Sequence, residues 1–187
     1  MMESSQEKKK MFYMIVLVLT LIAMIIGATL AYFSFIGSQK NEGTIYYTGT
    51  LEVNYIDGVY IRNPILYPIK NVNYNTYDKV YRNNFAVKSS GTLDQNLQID
   101  LNISKNEFLD NALKYAIYNE KGYEIGHGYV PRETGTVTLA DNIYLASNDT
   151  ARYTLIIWLD NTNYNQNEEM GHIITGSISI HAVQIKY

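Results

Sequence analysis

Cysteine is absent from this chain of 187 residues, so it has no disulfide, no thiolate metal site and no thiol nucleophile. No H-E-x-x-H helix, G-x-S-x-G elbow or phosphate-cradling glycine loop occurs, which removes the common signatures of zinc peptidases, serine hydrolases and nucleotide-binding folds. A basic stripe is missing as well. The 15 Lys and Arg stand against 18 Asp and Glu, a net charge of −3, which argues against nucleic acid as a partner.

What the chain does have is one long apolar run. Met11 to Ile36 carries no charged residue and follows Lys8-Lys9-Lys10. About 20 apolar residues span a bilayer, so a run of this length enters one, permanently or during export. The lysines belong on the cytoplasmic side, which puts everything after Ile36 outside. Two readings stay open. A retained membrane anchor suits the length, with Tyr32, Phe33 and Phe35 as an aromatic belt at the outer interface. A signal peptide suits the far end, where Thr29 and Ala31 give the small-x-small pattern before a cut between Ala31 and Tyr32.

Residues 1–31 are therefore signal peptide or anchor, 32–43 an N-terminal extension and 44–187 a folded domain. Without residues 1–31 the chain loses three lysines and two glutamates, leaving 12 basic against 16 acidic groups. The remaining 156 residues make one domain that buries roughly two-thirds of its unfolded surface. Tyrosine is abundant, at 18 residues. Codon bias of an AT-rich genome explains that, or else tyrosines on strand faces form an adhesive surface.

From Thr44 onward the period is two. Leu51, Val53 and Tyr55 alternate with Thr50, Glu52 and Asn54, and Pro64 and Pro68 confine the next segment to an edge or loop. Asn71 to Asp78 reads as an irregular connection. Tyr81 to Lys88 and Gln95 to Ile103 form the clearest strand pair, with Leu97, Ile99, Leu101 and Ile103 on one face. Ser104 with Glu107 has capping-box spacing and predicts one helical turn over 105–111. Leu113 to Tyr118, Thr134 to Leu139 and Ile143 to Ala146 are further strands. Ala151 to Leu159 is apolar on both faces, as in the middle of a sheet covered on both sides, and Trp158 reads as a core anchor. His172 to Ile185 closes the chain, its change of parity after Ala182 predicting a bulge or an emergence from the core there. The sum is an all-β antiparallel sandwich of jelly-roll or Greek-key type behind an N-terminal hydrophobic helix.

Candidate chemistry is thin. His127 falls between two glycines, read as a turn, and His181 shares the polar parity of Ser177 and Ser179 as an exposed strand residue. Glu168-Glu169 reads as part of a solvated loop. Asp160, Asn163, Asn165 and Asn167 resemble a calcium loop only loosely, since the EF-hand spacing and central glycine fail. No catalytic, cofactor or metal site is assigned.

The order of lysines, apolar run, Gly-Ala-Thr-Leu-Ala-Tyr-Phe-Ser and then Tyr47-Thr48-Gly49-Thr50-Leu51-Glu52-Val53 resembles the TasA/camelysin family. Thr29, Ala31 and Phe33 match the T-x-A-x-F end of its leader. Phe85 to Leu93 is similar to a family strand and turn, as are Tyr153 to Trp158 and Gly176 to Val183 to its closing strands. The resemblance implies a jelly-roll protein secreted to the cell surface by a SipW-type signal peptidase, the leader being cut at Ala31–Tyr32. It also implies a subunit of an extracellular biofilm-matrix fibre that associates with itself by strand addition. The freed segment would begin Tyr32-Phe33-Ser34-Phe35-Ile36, with Phe33 and Phe35 on one face to plug a groove. Two alternatives stay open. One is a camelysin-like surface metallopeptidase, for which no ligand motif is present, and the other a monomeric membrane-anchored binding protein.

Overall fold

The computed structural model describes residues 11, 13–22, 34–38 (as backbone), 53–56, 58–162 and 165–185. The chain divides into two compact units, Met1–Ser34 and Phe35–Tyr187. In the first, residues 11 and 13–22 are helical, and Met11, Tyr13, Met14, Leu17 and Leu19 are each more than half exposed. The Thr20 hydroxyl is absorbed locally, within 2.7 Å of the Val16 carbonyl and 3.0 Å of the Leu17 carbonyl. Among the described residues no helix is long and apolar enough to cross a membrane.

The second unit is built from strands in two sheets, as the period-two alternation predicts. Strand β1 (Ser34–Ser38) lies beside β11 (Ile174–Gln184), followed by β6 (Gln95–Asn106) and β9 (Gly135–Leu145), while β3 (Ile61–Arg62) also pairs with β11. The other sheet runs β2 (Val53–Ile56), β5 (Tyr81–Ser89), β10 (Thr150–Asp160), β7 (Leu113–Asn119) and β8 (Glu124–Tyr129). Short β4 (Pro68–Ile69) adds to the end of β10 in parallel, with Pro68 opposite Leu159. The pairings β7–β8, β6–β9, β5–β10 and β3–β11 are antiparallel and nest one inside the next.

The inward faces of both sheets make one core. Leu97, Ile99, Leu101 and Ile103 of β6 and Ile178 and Ile180 of β11 meet Phe85, Val87, Leu113, Ile117, Leu155 and Ile157 of the other sheet. Each such side chain contributes about 1.5–3 kcal/mol on burial, which fixes register because a one-residue slip would turn the whole set outward. Strand β10, apolar on both faces, lies in the middle of its sheet. Its outward Ile156 is fully buried with Ala116 and Tyr118, under Val72, Tyr74 and Val80 of the connection before β5. Trp158 packs at the edge of this second, smaller cluster and not in the main core.

Several local expectations are corrected. Strand β6 continues to Asn106, so no helical turn starts at Ser104. Glu107 instead accepts the Ile173 N–H at 3.1 Å and pairs with Lys105 at 2.6 Å. The two short segments around Asp141 are a single strand, β9, with register shifts against β6 near Ile99 and left-handed backbone at Asn142 (φ 53°). The irregularity in β11 lies at Thr175–Gly176. Past Ala182 the strand stays regular, and Val183 is simply half exposed on the outer face. His127 belongs to β8, opposite Ala116, and not to a turn.

Candidate functional site

Of the residues assigned to processing and self-assembly, Ala31, Tyr32 and Phe33 lie outside the described residues. Phe35 and Ile36 fall in β1, whose backbone pairs with β11. Of the segment 32–43, only residues 34–38 are described, and they form a strand on the β11 edge. β3 occupies part of the same edge, with Ile61 opposite Gly176 and Arg62 opposite Thr175. An added Cβ at Gly176 would come 2.6 Å from the Asn102 carbonyl oxygen, so glycine allows β6 and β11 to approach closely at their irregularity.

Each histidine is held by one carboxylate, and the three pairs are far apart in the fold. His127 Nδ1 lies 2.7 Å from Glu124 Oε1 on β8. His181 Nε2 lies 3.0 Å from Asp100 Oδ2 on the outer face of the other sheet. His172 Nδ1 lies 3.0 Å from Glu169 Oε2. Among the described residues no group of three or more His, Asp and Glu is placed to hold a metal ion. Of the loosely calcium-like loop, Asn163 lies outside the described residues, and two of the other residues have oxygens engaged elsewhere. Asp160 is bound to Lys114 at 2.7 Å, holding that ammonium above the usual lysine range, and Asn165 Oδ1 accepts the Asn167 N–H.

The third histidine pair opens a site that sequence reading missed. Glu169, read as part of a solvated loop, is only 6% exposed, whereas its neighbour Glu168 is exposed. A short 3-10 turn, Asn167–Glu169, aims it inward beneath Met170. Its Oε2 accepts from His172 and from the Leu109 N–H at 3.3 Å, and the His172 ring stands edge-on to Phe108 at 5.7 Å. A carboxylate can only accept, so Nδ1 of His172 carries the proton. Around this pair lies a cavity of about 570 Å³, walled by residues 63–68 on one side and 166–172 on the other, with Phe108 and Leu159 between. Pro64 and Pro68 stiffen the first wall, and Asn63 anchors it by donating its N–H to the Ile174 carbonyl at 3.0 Å. The signal that could have found this site is Glu169 and His172 three residues apart, just before an apolar strand.

No family model and no curated protein matches the sequence. Among solved structures, the chain is similar to the crystal structure of FLHE at 4% identity, over 83% of this chain and 99% of that one, with a TM-score of 0.33. It is also similar to the Salmonella enterica trimeric lipoprotein SadB at 9% identity, over 95% and 73% of the two chains, with a TM-score of 0.31. A third is the C-terminal domain of a chitobiase from Bacteroides fragilis, at 8% identity over 60% and 78%, with a TM-score of 0.28.

Proposed function

We propose that the protein is an exported cell-surface subunit that assembles into fibres by strand addition. The observation that carries this reading is β1: residues 34–38, at the end of the apolar run, form a strand on the β11 edge. The same main-chain hydrogen bonds made to a neighbouring copy would extend one sheet into the next molecule, a head-to-tail contact that propagates. Export is supported by the helix at 11 and 13–22, whose apolar side chains are exposed all round, a pattern suited to a bilayer and not to water. The sandwich is of jelly-roll type in this reading. Its support is the nested pairing that runs from β3 with the last strand, β11, through to β7–β8 at the fold of the hairpin.

The test is deletion of residues 32–37 from the exported protein, followed by electron microscopy and circular dichroism. The expected result is loss of filaments with retention of a folded β-rich monomer. Filaments unchanged by the deletion overturn the reading.

A further inference from the structure

We propose that the cavity around Glu169 is a binding site for a small organic cation, an ammonium group carried on an apolar body. Four observations converge on it. The cavity, about 570 Å³, lies in the range of small-molecule sites, which are mostly apolar with a few fixed polar groups. Its mouth is flanked by Ile65 and Met170, each 78% exposed, and by half-exposed Tyr67, a concentration of uncovered apolar surface at one end of the sandwich. Glu169 is the acidic residue among the lining residues, and no Lys or Arg lines the wall. The Glu169 carboxylate is buried, and its two hydrogen bonds both fall on Oε2. Among the described residues nothing donates to Oε1.

A carboxylate buried but for one oxygen open to the cavity favours a cationic donor over other occupants. An anion would meet Glu169, and a neutral apolar molecule would leave Oε1 dry. An ammonium ion satisfies Oε1, while its apolar body displaces water from Pro64, Leu66, Phe108 and Leu159. The surrounding hydrogen bonds leave the site preformed. The Leu109 N–H and His172 fix the carboxylate, and Gln166 is tied to the Asp160 carbonyl at 2.8 Å, so little order has to be gained on binding.

The test compares 3-phenylpropylammonium with its neutral counterpart 3-phenylpropan-1-ol, using the full ¹⁵N-labelled chain in lipid nanodiscs and reading amide shifts. The expected result is saturable perturbation centred on Leu66, Leu109, Met170 and His172, with the amine binding roughly tenfold or more tightly than the alcohol. Glu169→Gln removes that preference. Ile65→Arg places a guanidinium at the mouth of the cavity, facing Glu169, and weakens the amine more than the alcohol, so the preference for the amine falls. Equal binding of amine and alcohol, shifts centred elsewhere, or an amine preference undiminished by Ile65→Arg overturns the proposal.

Discussion

His181 Nε2 lies 3.0 Å from Asp100 Oδ2, on strands β11 and β6, although the two residues are offset by two residues in the register. Asp100 is 1% exposed, yet it belongs to the outward set of β6. Its same-face neighbours cover it: Gln98 Nε2 reaches both carboxylate oxygens at 3.0 Å. The histidine read as an exposed strand residue is thus a partly exposed partner of a buried carboxylate. Asp100→Ala, which strips Gln98 and His181 of their shared acceptor, should cost about 1–3 kcal/mol, and His181→Ala, which leaves Asp100 bonded to Gln98, should cost less. The double variant should cost less than the sum by at least about 0.5 kcal/mol. Urea denaturation of the four proteins measures this, and strict additivity would show that the contact has no energetic weight.

The sandwich was legible because burial imposes a period of two, and Leu97 to Ile103 could satisfy it only as a strand with one wet face. Ala151 to Leu159, apolar on both faces, likewise announced a central strand, and β10 is one. Legibility failed where a side chain's partner is distant in sequence. The spacing of Ser104 and Glu107 matches a helix cap, but Glu107 is taken by the Ile173 backbone, 66 residues on. Glu169 looks solvated beside Glu168, because nothing local announces the Leu109 N–H that receives it. The change of parity from Ala182 to Val183 marks the strand's emergence from the core and not a bulge, since Val183 is half exposed on a regular strand.

Buried phenols give the fold an alkaline limit. Burial, then the charges of Glu120 and Asp149, push Tyr153 up to about 12. Burial likewise pushes Tyr81 up to about 12, against a small opposing contribution from Asn83. Burial and the neighbouring Tyr81 raise Tyr55 further, and its hydroxyl is enclosed without closing a hydrogen bond to nearby Asn83. Below about pH 10 these phenols are neutral in both the folded and the unfolded chain, and the stability they contribute is complete. Above it the unfolded chain loses protons that the folded chain keeps, so stability falls as pH rises towards about 12. Urea midpoints should drop across that window, and Tyr153→Phe should flatten the drop. Absorbance at 295 nm should show a class of tyrosines that ionise only on unfolding.

Gly126 sits where β8 passes against β9, and a Cβ there would lie 2.0 Å from the Leu139 carbonyl oxygen. A backbone oxygen cannot swing aside as a side chain does, so Gly126→Ala should cost about 2–3 kcal/mol or more. The neighbouring His127→Ala, on the exposed side of the same strand, should change stability by under about 0.5 kcal/mol. Thermal denaturation of the two variants checks the contrast. Similar values would mean that β8 and β9 do not approach as closely as described.

Arg82 fastens the connection that covers the outer face of the six-stranded sheet. Its Nη1 donates to the Tyr74 carbonyl at 2.6 Å, and its guanidinium lies over the rings of Tyr74 and Tyr77 at 5.0 and 4.5 Å. Tyr74 in turn stands edge-on to Tyr118 at 5.7 Å, above Ile156. Removing the guanidinium should lift residues 71–79 from the sheet without unfolding the main core, since none of those residues belongs to the principal apolar cluster. Trp158 lies at the edge of the covered patch and is the chain's single tryptophan, so its fluorescence reports on that patch alone. Arg82→Ala should shift the emission to longer wavelength and speed proteolysis within residues 71–79, while the urea midpoint moves modestly. Arg82→Lys should restore little, because a lysine ammonium has no planar face to lay on two tyrosine rings. Emission and cleavage unchanged in Arg82→Ala would mean that apolar contacts of Val72 and Val80 hold the connection without the arginine.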